Sequence, residues 1–357
     1  MAAFWTFGCM LLIAHQALAG SASIRLRNAA TANALHMPVT GLGTGGYTGN
    51  SSQPYGSYPE CFNGCADAEC LVPNPANFSG CGEYVQAAVT TWLQLGGRRI
   101  DNSASYHNQY YVGVSIAASG IPRDQIFFVS KVGPYLPLGY ADSKKQFDGI
   151  LQTTNLAYVD LLLVHWPDCT TGGGCTGQPQ SSEPACQFGT PTYNPKQCRL
   201  STWQAMVEIF QAGGARAIGV SNYNQTHIQE IVEAGMLLPS VNQCPFNIYH
   251  SEVQYSLIDF CKSLNITFNG YSPFGVPDRR AFAPPLARTT LLDPVVVEIA
   301  AQHRRAPAEI MLAWQQAWGM VVNPRSMNAA HMLQNLAFSD IVLTADEVQQ
   351  LNNRPQY

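Results

Sequence analysis

Asp101, Tyr106, Lys131 and His165 are the residues of this chain whose types and spacing best suit proton chemistry. Asp101 closes a short apolar run and Tyr106 follows soon after it. Lys131 ends the run Phe127-Phe128-Val129-Ser130-Lys131, and His165 ends Leu161-Leu162-Leu163-Val164-His165. An ammonium at the end of such a strand sits at the rim of a core, where it must be paired or carry a large desolvation penalty. Asp101 is the natural partner. A lysine held beside a tyrosine hydroxyl favours phenolate, so it is expected to lower the phenol's pKa from about 10 and make it a usable general acid near neutrality. Singly, each residue has a plainer role: Asp101 as a turn cap, Tyr106 as a surface aromatic, Lys131 as a snorkelling chain, His165 as a satisfied core imidazole. Their placing at successive strand ends joins them into one site.

The elements that must hold them are short apolar runs, which predict strands over 39–43, 98–102, 126–131, 159–165, 215–220, 240–243, 266–271 and 320–323. Amphipathic stretches between them predict helices over 83–95, 110–119, 143–155, 202–211, 226–234, 253–263 and 329–336. Parallel strands need crossover helices, and eight of them close on a side-chain-filled centre, so the expected fold class is α/β, a closed (β/α)₈ TIM barrel. In that fold all four residues meet at the C-terminal mouth. A doubly wound open sheet is disfavoured. The glycine-rich run Gly41-Leu42-Gly43-Thr44-Gly45-Gly46 leads into a cysteine-rich segment instead of a helix.

Of 357 residues only 12% are charged, and 19 basic against 23 acidic side chains leave a net charge of −4. No cationic field exists to gather nucleic acid or an acidic membrane, so any anion site must be local. Residues 1–19 combine an uncharged apolar run with Ala17-Leu18-Ala19 and read as a cleaved secretory signal, the alternative being an uncleaved anchor. Residues 20–357 then form a single barrel domain, with Cys-rich inserts at about 46–82 and 168–200. The first insert carries Cys61, Cys65, Cys70 and Cys81, and the second Cys169, Cys175, Cys186 and Cys198. Even-numbered groups in Gly- and Pro-rich loops point to disulfide staples made in an oxidising lumen. Zinc is the competing reading, but neither group has paired Cys-x-x-Cys knuckles. Cys244 and Cys261 are expected to be free and buried. Sequons at Asn50, Asn77, Asn224 and Asn265 suit a glycoprotein.

The runs MPVTGLGT (37–44), GRRIDNSASYHN (97–108), SGIPRDQIFFVSK (119–131), YVDLLLVHWP (158–167), AIGVSNYN (217–224), VNQ (241–243), YSP (271–273) and NPRS (323–326) together resemble the aldo-keto reductases. The resemblance extends from about residue 37 to 353, interrupted by the two inserts. It implies an NADPH-dependent oxidoreductase, with NADH as the alternative cofactor, that reduces an aldehyde or ketone. The family's catalytic tetrad falls on Asp101, Tyr106, Lys131 and His165, with Tyr106 as proton donor and His165 orienting the carbonyl. The same mapping gives Ser221, Asn222 and Gln243 to the nicotinamide carboxamide and Tyr271 to stacking on the ring. Thr44, Asp101, Ser272, Phe274, Arg325, Ser326, His331 and Asn335 complete the implied cofactor set, and Tyr106, His165 and Trp166 the substrate set. No metal is implied.

Departures from the family pattern lie at the adenosine end and at one pocket wall. Arg325 stands for the usual lysine and can still fork onto a 2′-phosphate. His331 replaces an arginine, exchanging a permanent charge for a titratable one. Gly45 stands where many members carry tryptophan. Both inserts follow strands, so they are expected to form a disulfide-fixed rim above the mouth. The expected partner is a small carbonyl compound, with no nucleic acid, no membrane after signal cleavage, and a monomeric chain. A secreted, non-catalytic protein that binds nucleotide or another small molecule on the same scaffold is the alternative function.

Overall fold

The computed structural model describes residues 22–27, 35–45, 82–133, 136–168, 180–275 and 290–355. A small antiparallel hairpin comes first, β1 (Ser23–Arg25) paired with β2 (His36–Pro38). Eight parallel strands follow in sequence order: β3 (Leu42–Gly43), β4 (Arg99–Asp101), β5 (Phe127–Val132), β6 (Leu161–Val164), β7 (Ile218–Ser221), β8 (Val241–Pro245), β9 (Thr267–Tyr271) and β10 (Val321–Asn323). A bridge from Thr40 to Val322 joins the first to the last. Gly41 N donates to Val322 O at 3.0 Å, and Gly43 N to Pro324 O at 2.9 Å, so the seam is hydrogen-bonded along its length. The result is a (β/α)₈ barrel.

Every predicted strand is present, with no end displaced by more than three residues. Helices α1 (Glu83–Gln94), α2 (Gln109–Ala118), α3 (Tyr140–Thr154), α4 (Pro195–Gln211), α5 (Gln225–Glu233) and α6 (Glu252–Ser263) form the first crossovers. The expected start of α4 at 202 is corrected to Pro195: Asn194 caps the Gln197 N–H, and proline fits the first helical position. Three further helices were not expected, α7 (Pro294–His303), α8 (Pro307–Ala317) and α10 (Ala345–Asn352), which flank the expected α9 (Ala329–Ala337). In α7 the run Val295–Val297 reads as strand until Asp293 and Pro294 start a helix. In α8 the consecutive residues Ile310–Gln315 are all buried, which erases the helical period.

Both faces of the strands are buried, as parallel sheets require. Phe128, Leu162, Ile218 and Phe268 pack outward with the helices. Phe127, Val129, Leu161, Leu163, Ala217, Val241 and Val321 pack inward, and Leu26, Leu35 and Met37 of the hairpin region join this cluster. Side chains alternate along a strand, so the parity that points Val129 and Leu163 inward also points Lys131 and His165 inward, two residues nearer the mouth. Asp101, Ser221, Gln243 and Tyr271 follow the same parity on their strands.

One inward position is unusual. Arg99 is fully buried beside the seam, and its Nη2 donates to Val39 O at 3.0 Å and Val322 O at 2.6 Å. Burial lowers its pKa to about 9, against the opposing pull of Asp101. Gly41 makes room for it, since a Cβ there would lie 2.6 Å from Arg99 Nε.

Within the expected rim, Cys186 is bonded to Cys198, which ties the insert to the first turn of α4. Cys61, Cys65, Cys70, Cys81, Cys169 and Cys175, with residues 46–81 of the first insert, 169–179 of the second and the N-terminal segment, lie outside the described residues. Cys244 and Cys261 are free and buried, as expected. Burial raises both thiols, Cys261 to about 12. Peptide mass spectrometry of native protein alkylated without reduction should therefore find Cys186 and Cys198 unmodified, and Cys244 and Cys261 reactive only after unfolding. Alkylation of Cys186 in the folded, unreduced protein would contradict the bond.

Candidate active site

Lys131 organises the mouth. Its Nζ is fully buried and donates to Asp101 Oδ1 at 2.5 Å, to the Asn102 carbonyl at 2.9 Å and to Tyr106 Oη at 3.3 Å. The second carboxylate oxygen of Asp101 accepts from Gln243 Nε2 at 2.6 Å, a bond that spans the barrel from β8 to β4. Tyr106 closes a short helical turn, Ala104–Tyr106, that Ser103 caps, and its ring stands edge-on to His165 with centroids 5.5 Å apart. All four expected residues are thus brought together.

Charge states follow from burial first. Burial raises the Tyr106 phenol above its ordinary value, and the Lys131 ammonium opposes this without reversing it. The expectation of a lowered phenol pKa is therefore corrected, because loss of solvent around the ring outweighs one nearby cation. For Lys131, burial works against the charge, but Asp101 and Tyr106 hold its pKa above the ordinary lysine value. Burial and the Lys131 charge drive His165 well below the ordinary histidine value, so the ring is neutral.

Further residues converge from neighbouring strand ends. Asn222, in a left-handed conformation at φ 61, donates to the His165 carbonyl at 2.8 Å and to Ser221 Oγ at 3.1 Å. Its Oδ1 accepts from Tyr271 Oη at 2.9 Å. Ser221 Oγ in turn donates to the Gln243 carbonyl at 2.8 Å. Ser221, Asn222, Gln243 and Tyr271 form one patch on β7, β8 and β9, and the Gln243 amide oxygen plays no part in its bond to Asp101. Ser272 has positive φ, Phe274 packs half-buried on the outer core, and Trp166 is half-buried beside His165. Thr44 is buried, its hydroxyl donating to the Asp101 carbonyl at 2.8 Å.

Past β10, Arg325 Nη1 donates to the Gly45 carbonyl at 2.5 Å. Gly45 lies flat on the tetrad, since a Cβ there would stand 3.0 Å from Tyr106 Cζ. Ser326 and the Asn328 cap open α9, where Asn328 Oδ1 accepts from Ala330 N and His331 N. His331 is exposed there, while Asn335 is buried one turn on. Arg325, Ser326 and His331 thus gather beside a helix N-terminus, a setting that suits an anion. Among the described residues no group of His, Cys, Asp and Glu is arranged to hold a metal ion.

Several contributors escape a reading of sequence alone. Asn102 links Thr44 Oγ1 and Asn108 Oδ1 through its amide, at 2.7 and 2.8 Å. Ser103, Ser105 and the Gly133 carbonyl all contact His165 Nδ1. The hydroxyl-rich spacing Ser103-Ala104-Ser105 is the signal that could have found two of them.

The chain belongs to the aldo/keto reductase family, whose sequence model matches residues 82–354. It is 32% identical over 277 residues to aldo-keto reductase family 1 member A1-A of Danio rerio, covering 74% of this chain and 80% of that protein. It is 31% identical over 269 residues to glycerol 2-dehydrogenase (NADP(+)) of Saccharomyces cerevisiae, with 74% and 81% covered. Among solved structures, a Bombyx mori aldo-keto reductase in complex with NADP superposes with a TM-score of 0.70 at 27% identity, covering 93% of this chain and 92% of that one. The protein is an oxidoreductase of this family on a (β/α)₈ barrel.

A proton donor must be protonated to act, so the sign of the Tyr106 shift matters. With its pKa raised above the ordinary tyrosine value of about 10, the phenol keeps its proton throughout the neutral range. Tyrosinate absorbance, measured as wild type minus Tyr106→Phe, should show no ionisation of this residue below about pH 10. A transition between about pH 7 and 8 would contradict the balance of burial over Lys131.

Proposed function

We propose that this chain reduces an aldehyde or ketone to an alcohol with NADPH as reductant, Tyr106 serving as the general acid. The observation that carries the reading is the Lys131 ammonium bonded at once to Asp101 and Tyr106, with His165 alongside. Tyr106 donates its proton to the carbonyl oxygen while the carbonyl carbon is reduced. The phenolate left behind faces Lys131, whose charge is fixed by Asp101, and it recovers a proton from solvent. His165 and Tyr106 hold the oxygen between them, and Trp166 lines the approach.

NADPH, when bound, supplies the hydride. The residues present fit it. Gln243 has an amide oxygen to accept from a carboxamide, Tyr271 offers a ring held by Asn222, and Ser221 completes the patch. Thr44 and Asp101 face this patch from across the mouth, Ser272 and Phe274 follow β9, and all four are assigned to the same cofactor. Arg325, Ser326, His331 and Asn335, at the start of α9 and its first turns, are assigned to the 2′-phosphate and adenosine. That assignment requires Arg325 to release the Gly45 carbonyl and turn to the phosphate. The NADP named for the Bombyx mori structure and for the yeast relative supports the choice of cofactor.

Tyr106→Phe keeps the ring and removes the donor, so it should lower NADPH-dependent turnover of an aldehyde panel by about 10²–10⁴-fold. The same variant should bind NADPH as the wild type does, by fluorescence titration, and more tightly than NADH. Wild-type turnover in Tyr106→Phe would overturn the assignment.

The chain is further proposed to act as a monomer in the lumen of the secretory pathway or outside the cell. The apolar segment ending at Ala19 and the Cys186–Cys198 bond support this. Asn224 and Asn265 are exposed, as glycosylation there requires. No helix among the described residues is long and apolar enough to cross a membrane. N-terminal sequencing of protein recovered from the medium of a eukaryotic host should begin at Gly20. Retention of the intact chain, starting at Met1, in the cytosol would refute the compartment.

A further inference from the structure

His165 must offer an N–H to bind a carbonyl oxygen, and its ring has only one proton to place. The ring is buried and neutral, held so by burial and by the Lys131 charge, so either Nδ1 or Nε2 carries the hydrogen. Nδ1 lies 3.1 Å from the Gly133 carbonyl oxygen, which can only accept. If that bond takes the proton, Nε2 presents a bare lone pair and repels a carbonyl oxygen. The backbone alone therefore favours the wrong tautomer for reduction.

Two serines supply the counterweight. Ser103 Oγ lies 3.0 Å from Nδ1 and Ser105 Oγ lies 3.2 Å from it, with the two hydroxyls 3.0 Å apart. Ser103 Oγ already accepts the Ser105 backbone N–H at 3.3 Å, as cap of the turn that carries Tyr106. With that lone pair engaged, its hydroxyl hydrogen is directed to another acceptor, and Nδ1 is in reach. Ser105 then donates either to Nδ1 or to the remaining lone pair of Ser103. Ser103 and Ser105 are both buried, so these short contacts are the partners at hand.

We propose that Ser103 and Ser105 are positioning residues that donate to His165 Nδ1 and thereby keep the ring's proton on Nε2, toward the substrate oxygen. The serines touch neither substrate nor reacting atoms; they act through the histidine. The consequence for catalysis rests on the carbonyl-reduction reading above, but the state of the ring does not.

The test is ¹⁵N NMR of histidine-labelled protein, with His165 assigned by loss of its signals in His165→Gln. Nitrogen shifts distinguish a bare from a protonated ring nitrogen. The wild-type protein should carry the proton on Nε2, and the Ser103→Ala/Ser105→Ala double variant on Nδ1, with the Gly133 carbonyl as its remaining partner among the described residues. In parallel, the double variant should lose about 10²-fold in kcat for aldehyde reduction, the scale of removing one donor to a developing oxyanion, with NADPH affinity unchanged. Ser103→Thr in a Ser105→Ala background restores one hydroxyl and should recover most of the loss. A proton on Nδ1 in the wild type overturns the proposal without any variant, so failure of the double variant to fold leaves it decidable. An unchanged tautomer in the folded double variant also overturns it. Absence of turnover in the wild type would strike the proposed function instead and leave the ring assignment standing or falling by the spectra.

Discussion

The structure of the mouth depends on one ammonium group placed where water does not reach. Lys131 has no exposed surface, and an isolated charge there is untenable, so Asp101 must face it and the carbonyl of Asn102 must turn toward it. Removing one partner of such a pair costs about 3–5 kcal/mol, because the other charge is left buried and alone. Asp101 is fixed in turn by Gln243 from the opposite side of the barrel. Strands β4, β5 and β8 are therefore held at one relative height, and Tyr106 is delivered to the one place where Lys131 can reach its hydroxyl.

A second constraint is the alternation of side chains along parallel strands. The inward residues of the lower barrel are apolar and interdigitate with the hairpin region, while the same parity continued two residues up gives the polar ring of the site. Stability and chemistry are thus stacked along one axis. The loops that leave the strands then add what parity cannot supply. Gly45 lets the loop after β3 lie on the Tyr106 ring, and Arg325 reaches back from the loop after β10 to the Gly45 carbonyl. The first and last strands meet at the seam, so the loops after β3 and β10 are neighbours although 280 residues separate their contacting groups.

The serines beside His165 show how far a neutral imidazole is governed by its back edge. On the proposal above, the partners of one nitrogen set the protonation of the other, which faces the substrate oxygen. Burial keeps the ring neutral and so makes the choice of tautomer matter, since a doubly protonated ring would donate from both sides.

Much of this was fixed locally and is visible in the amino-acid sequence: apolar runs ending in Asp101, Lys131 and His165, eight such runs in alternation with helices, and a tyrosine soon after the aspartate. Those features follow from strand parity and crossover length, which depend on neighbours in the chain. The β1–β2 hairpin, α7 and α8 were not visible, because β-branched or wholly buried stretches carry no helical period and a strand of three residues carries little pattern of any kind; α10 does carry a local signal, the Thr344–Glu347 capping box. The raised Tyr106 phenol was not visible either, since proximity of a lysine can be guessed from strand ends but the loss of solvent around a ring is the sum of everything packed on it. The same holds for Gln243 reaching Asp101, for Arg99 inside the seam and for the three acceptors and donors around His165 Nδ1. These contacts join residues from different strands and loops, and only closure of the barrel brings them within hydrogen-bonding distance.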